Sequence, residues 1–169
     1  FSGSETVTTF NNLGLPFLNT GSLSLDGNTY TTDDNRIRIS TFGHTSGMFG
    51  NNTGLGFIDV VLGTPALRVG ALVGVPSSHT TAIVEFFDPL DNSLGTLSIN
   101  FLLGLTFLAF EDPALIGRVR FTDRTFDVIL AIDDFRFEAA SVPEPGALAL
   151  FGIGLLGLGV MQRRRRRAA

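Results

Sequence analysis

The segment Arg118-Val119-Arg120-Phe121-Thr122 decides the fold class. Polar and apolar residues alternate through it, and a period of two places successive side chains on opposite faces of a strand. One face is expected in a core and the other, with both arginines, outward. Arg36-Ile37-Arg38-Ile39-Ser40 repeats the pattern, so four arginines are expected to point to solvent. Further out, Phe57 to Leu62 and Thr81 to Phe87 are short, β-branched and rich in aromatic residues. Thr96 to Phe110 is nearly all apolar around Gly104, which fits one long buried strand or two joined at that glycine. Phe126 to Ile132 is continuous, and Phe135 and Phe137 then alternate with Asp134, Arg136 and Glu138.

Between these runs lie turn clusters: Asp26-Gly27-Asn28, Asp33-Asp34-Asn35, Gly50 through Gly54, and Asp88-Pro89 through Gly95. Their residues tolerate positive φ or bond their own backbone. Many short strands at this spacing indicate an antiparallel sandwich or jelly roll. No strand alternates with an amphipathic helix, which argues against a parallel α/β sheet. The expected fold is all-β: an antiparallel β-sandwich or jelly roll over residues 1–140, followed by one C-terminal transmembrane helix.

The chain has 169 residues, enough for one domain plus appendages. A domain of this size buries about two-thirds of its unfolded surface and needs no covalent staple. The absence of cysteine excludes disulfides, thiolate nucleophiles, zinc fingers and iron–sulfur clusters. All 12 basic residues are arginine, and five form one block, Arg163, Arg164, Arg165, Arg166 and Arg167. The remaining chain carries seven arginines against 16 acids, a formal charge of −9. Such an acidic body lacks the basic face that nucleic acid requires. The first residue is Phe1, with no basic or apolar leader pattern after it, so a removed signal peptide or a fragment is expected.

The composition changes near Ala140. Pro145 to Gln162 is a run of 18 residues without a charge, and the arginine block follows it directly. A helix over 146–161 spans roughly 25 Å, slightly short of a ~30 Å hydrocarbon core. Snorkelling arginines and local thinning cover that deficit. Each arginine at mid-bilayer costs on the order of 3 kcal/mol, so five in succession should stop translocation and stay cytoplasmic. The body is then outside and the tail inside. Gly152-Ile153-Gly154-Leu155-Leu156-Gly157 matches the dinucleotide-binding pattern letter for letter. It lacks the preceding strand and the downstream acid of that motif, and small residues in a membrane helix explain it better.

Val142-Pro143-Glu144-Pro145, the apolar Gly/Leu/Ala segment and the terminal arginines resemble, in order and spacing, the PEP-CTERM sorting signal of exported bacterial proteins. The resemblance spans Val142 to Arg167. It implies recognition by an exosortase, a membrane-embedded cysteine protease of transpeptidase type, and passage through the inner membrane of a Gram-negative cell. It also implies cleavage near Pro143-Glu144-Pro145, with Arg163 to Arg167 as the cytoplasmic stop, and association with exopolysaccharide, biofilm or cell surface. Two prolines around one glutamate keep that segment extended, the shape a protease cleft accepts.

Val128 to Glu138 resembles the last strand of the lectin-like or carbohydrate-binding sandwich domains found before this signal. In some such folds an acid near the first strand and one in the last hold a structural calcium, places that Glu5 and Asp133 would take; oxygen ligands suit that ion. No other cofactor is expected.

The body offers no convincing catalytic set. Asp133 and Asp134 are adjacent on a strand and face opposite sides, so they do not form an acid–base pair. Asp33-Asp34 and Glu111-Asp112 read as solvated turn residues, while Glu85 and Asp88 flank Phe86 and Phe87 and await a carboxylate across strands. His44 beside Ser46 and His79 beside Ser78 lie in polar loops without a nucleophile elbow. One tyrosine and no tryptophan leave the domain without the aromatic platform of many sugar-binding modules. Asn51-Asn52-Thr53 has the form of a glycosylation sequon but reads as a turn.

The expectation is an exported, non-enzymatic cell-surface or matrix protein, with exosortase, inner membrane and polysaccharide as partners and no nucleic acid. Three alternatives stand beside it. A polysaccharide hydrolase or lyase needs acids converging in one cleft about 5–10 Å apart. A permanently anchored ectodomain keeps Arg163 to Arg167. An adhesive subunit self-associates through an open sheet edge.

Overall fold

The computed structural model describes residues 3–11, 13, 17–18, 20–33, 37–40, 48–51, 56–75, 80–101, 104–123 and 130–140. These form eleven strands: β1 (Thr6–Thr8), β2 (Phe17–Leu18), β3 (Ser22–Leu25), β4 (Asn28–Thr32), β5 (Ile37–Ser40), β6 (Met48–Asn51), β7 (Phe57–Val75), β8 (Thr80–Phe87), β9 (Ser93–Phe101), β10 (Gly104–Asp123) and β11 (Ala131–Ala139). Every pairing is antiparallel.

The architecture follows from two unusually long strands. The first half of β7 pairs with β4 at Ile58–Val61 and its second half with β11 at Ala66–Gly74. On its other side β7 runs along the whole of β10, whose second half also pairs with β8. The front layer is therefore β3-β4-β7-β10-β8-β9, and the back layer β2-β5-β6-β11-β7-β10, with β1 added on β11. Both long strands serve both layers of the sandwich.

Register shifts mark where they cross, between Glu111, Ile116 and Arg118 of β10 opposite Ala66 of β7. Core-facing residues are even-numbered before the crossing in β7 (Ile58, Val60, Leu62) and odd-numbered after it (Val69, Ala71, Val73). An inserted residue at a bulge flips the face in this way and bends the strand. The crossing carries Pro65 and Pro113, and Leu115 has a φ of 65°. Here the structure corrects the sequence reading: Glu111 and Asp112 lie within β10, and the strand expected at Phe57 to Leu62 continues to Val75.

The chain between Thr96 and Phe110 is two strands, β9 and the start of β10. It is not uniformly buried. Thr96, Ser98 and Asn100 are exposed, while Leu97 and Ile99 pack against the core. Gly50 and Asn51 close strand β6 instead of lying in a turn. The two-residue turn Asp26-Gly27 joins β3 to β4 with φ of 50° and 79°, as expected of Asp-Gly in a type I′ hairpin.

Aromatic rings join the two layers across the core. Phe10 meets Tyr30 of β4 edge-on at 5.3 Å, and Tyr30 meets Phe135 of β11 edge-on at 5.9 Å. On the opposite flank Phe86 of β8 stacks on Phe110 of β10 at 4.0 Å. All but Phe110 are fully buried.

Candidate functional site

The outer side of the front layer gathers the charged side chains that the strand period turns away from the core. In β7, Ile58 and Val60 are buried inward, so Asp59 between them faces out. In β10, Val119 and Phe121 face inward and Arg118 and Arg120 outward. Arg120 stands directly across from Asp59, and Glu85 of β8 stands across from Arg120 on its other side.

These residues bond one another. Arg120 donates to Asp59 through Nε at 3.0 Å and Nη2 at 2.5 Å, a two-pronged contact of the kind that fixes a guanidinium in plane. Arg118 donates through Nη1 to Asp59 at 3.2 Å and through Nε to Asp91 at 2.8 Å. The Arg118 guanidinium lies 3.8 Å over the Phe87 ring and that of Arg120 lies 4.5 Å over Phe57, which adds cation–π attraction. Hydrogen bonding to Asp59 raises the Arg120 pKa further above its ordinary value, with the charges of Asp59, Glu85 and Asp91 adding to it.

The arginines do point outward as the alternation predicts, yet they are not free in solvent. Their side chains are 17% and 34% exposed, because aspartate and phenylalanine hold them down on the sheet. Around this centre the face mixes hydroxyls and amides with the apolar side chains of Val61 and Ile83. Thr31 and Thr96 lie in the Asp59 row, Thr122 and Ser98 in the next, and Thr81 donates to Asn100 at 2.8 Å beyond them. Chemically the surface combines hydrogen-bond donors and acceptors with a few apolar side chains, with two guanidiniums at its centre and three acids around them.

The turn Asp88–Asn92 borders the site. Asp88 accepts the N–H groups of Leu90 and Asn92 at 2.8 Å and the Asn92 side-chain amide at 2.8 Å. The Asn92 side chain, followed by the two backbone bonds, holds the exposed Asp88 carboxyl below its ordinary pKa. A Cβ on Gly117 would come within 2.7 Å of Pro89, so the absence of a side chain there lets the turn lie against β10. Asp88 therefore builds a turn, and Glu85 faces an arginine, not a carboxylate.

Glu5 and Asp133 are not brought together. Thr6 is opposite Phe137, which sets Glu5 at the far end of β11 from Asp133; Glu5 lies 3.8 Å from Arg136 instead. Asp133 is buried and accepts the N–H of Asp134 at 2.8 Å, at a register shift where Asp134 has a φ of 44°. Among the described residues no three metal-ligating side chains cluster, so the expected calcium pair does not form a site. His44, Ser46, Ser78 and His79 lie outside the described residues, as do Pro143, Glu144, Pro145, the 146–161 segment and Arg163 to Arg167. Among the described residues no helix is long and apolar enough to cross a membrane.

Asp59 does not stand out from its local sequence. Its signal appears once β10 is set beside it: it is the one acid in the apolar run Phe57 to Leu62, and Arg118 and Arg120, two residues apart on one face, need a counterion.

Comparison with known proteins gives one match in the tail and several to the sandwich. Residues 141–166 match the PEP-CTERM protein-sorting motif. No curated protein sequence matches significantly. Among solved structures, the sandwich is similar to a point mutant of the carbohydrate-binding module CBM29-2, with a TM-score of 0.53 at 12% identity over 84% of this chain and 99% of that one. A charge-reversed mutant of a family 29 module gives 0.51 at 12% identity over 83% and 99%. CBM29_1 from Piromyces equi gives 0.50 at 14% identity over 83% and 95%. The chain thus joins a β-sandwich with the fold of family 29 carbohydrate-binding modules to a C-terminal PEP-CTERM protein-sorting motif.

Proposed function

We propose that this protein is an exported, non-enzymatic binding protein of the cell surface or extracellular matrix, and that the outer front face of its sandwich holds a neutral polysaccharide. One observation carries the binding half: two guanidiniums fixed flat on an outer sheet face by Asp59 and Asp91. Guanidinium carries five donors in a rigid fork. Asp59 engages Arg120 on one edge, which leaves its Nη1 group toward the sugar hydroxyls of a chain lying across the strands. Asp59, Glu85 and Asp91 outnumber the two arginines, and the body is acidic. A uronate-rich chain would be repelled there, whereas a neutral one meets donors and acceptors beside the apolar side chains of Val61 and Ile83.

The absence of hydrolysis in this reading is supported by what the acids do. Asp59 and Asp91 bond arginines, Asp88 closes its turn, and Glu111 is held by Arg68 at 2.7 Å. Export follows from the sorting motif. Pro143, Glu144 and Pro145 are the element that an exosortase recognises, and the apolar segment holds the chain in the inner membrane of a Gram-negative cell. Arg163 to Arg167 stay in the cytoplasm until cleavage.

Two measurements test the proposal. Neutral and uronate-containing polysaccharides are compared for binding to wild type and Arg120→Ala. Binding of neutral chains that is lost in Arg120→Ala is expected; undiminished binding by that variant moves the site elsewhere. Intact mass of the protein from a host with an exosortase should show loss of the C-terminal segment near Pro143-Glu144-Pro145. Retention of Arg163 to Arg167 in an inner-membrane fraction would leave an anchored ectodomain.

A further inference from the structure

A sheet that does not close leaves outer strands whose backbone donors and acceptors on one side invite another strand. Among the described residues the outer strands of the front layer are β3 and β9. They differ sharply. β3 has four residues and runs into Asp26 and a tight turn, whereas β9 has nine residues and neither a charge nor a proline.

The uncharged region is longer than the strand. From Asn92 to Phe110 there is no Asp, Glu, Lys or Arg, in a body of residues 1–140 that carries seven arginines and 15 acids. It covers β9 and the start of β10, the outer strand of the back layer on the same flank. The two edges touch: the Gly95 Cα region lies against the Phe110 ring, which stacks on Phe86. Proteins ordinarily blunt long edges with charges, prolines or bulges. In β9 the only register shift falls at its first residues, opposite Phe86 and Phe87, and the ladder then runs evenly from Gly95 to Phe101.

We propose that β9 is a self-association strand, pairing antiparallel with β9 of a second copy about a two-fold axis near Leu97. The sequence around that axis is self-complementary. Thr96 of one copy meets Ser98 of the other, Leu97 meets Leu97, and Gly95 meets Ile99. Outward hydroxyls thus lie opposite hydroxyls, and the apolar side chains continue one core-facing surface. Charge selects the same partner. A body of net −8 over residues 1–140 repels its own copy, and this flank is where two copies meet without bringing acids together. Pairing makes the two front layers one continuous sheet, with Thr96, Ser98 and Asn100 of both copies side by side.

The test uses the full chain in detergent micelles, whose lack of cysteine gives a clean background. Wild type should sediment as a dimer. Leu97→Cys, at the axis, should form a disulfide-linked dimer on mild oxidation severalfold faster than Ser24→Cys on the β3 edge. The double variant Thr96→Lys/Ser98→Lys sets like charges opposite one another at exposed positions, which should weaken the dimer roughly tenfold. Circular dichroism of that variant should match wild type. A monomeric wild type overturns the proposal, and so does equal crosslinking at Ser24. A dimer that survives the two lysines also overturns it, because the contact then belongs to the C-terminal segment or another surface.

Discussion

Tyr30 is the chain's only tyrosine and there is no tryptophan, so one spectroscopic signal reports on the centre of the sandwich. Its ring is fully buried between Phe10 and Phe135. Burial pushes its hydroxyl from 10.0 up to about 12, against a partial opposing pull from the Thr8 and Asn28 side chains. The folded state thus favours the neutral phenol by about 3 kcal/mol, at 1.36 kcal/mol for each unit. With the folded value above the unfolded one, this contribution is complete below pH 10 and disappears as pH rises toward 12. Titrating tyrosinate absorbance should give a midpoint near 10 in denaturant. In the native protein ionisation should be delayed by about two units, or coincide with loss of the β-sheet circular dichroism. A native midpoint near 10 with the circular dichroism unchanged would refute the placement of Tyr30 between the two layers.

Other outcomes follow from the same contacts. Asp59→Asn removes the charge that holds Arg118 and Arg120 and should cost about 1–3 kcal/mol by chemical denaturation, together with loss of polysaccharide binding. Gly63→Ala places a methyl group into the Gly27 carbonyl oxygen beneath the Asp26-Gly27 turn, and overpacking of roughly 1–3 kcal/mol is expected as a lowered denaturation midpoint. The depressed Asp88 pKa stabilises its turn above the ordinary carboxylate range and is lost as pH falls through the folded value; amide exchange at Leu90 and Asn92 should therefore gain protection on leaving acid. Binding of a neutral polysaccharide should change little with added salt, while steep salt dependence would argue for a charged ligand.

What the sequence makes legible is the local period. Arg118 to Thr122 fixes its own faces, because Val119 and Phe121 go inward and the arginines outward wherever that strand is placed. Asp26-Gly27 likewise carries its turn in its own conformational preferences. The long strands are not legible, since Pro65 and the Glu111-Asp112-Pro113 stretch look like turns when only neighbours along the chain are weighed. They are bulged crossings, and the partner strand that makes them so is distant in sequence. The site is hidden for the same reason. Asp59 and Arg120 belong to segments far apart in sequence, and only the β7–β10 register joins them. The tail is the opposite case, because its Pro-Glu-Pro, apolar run and arginine block are a linear code.

The position of β11 has a mechanical meaning. This strand ends at Ala139, directly before the sorting motif, and is flanked by β7 on one side and by β1 and β6 on the other. Ala140 adds a hydrogen bond to the carbonyl of Pro65 at 3.2 Å. Tension that enters from the C-terminal end therefore pulls β11 lengthwise, and its ladder bonds resist in parallel instead of opening one by one. Through β7 and β10 the load reaches both layers together. A domain tethered or hauled by its tail is gripped at a strand braced on both sides.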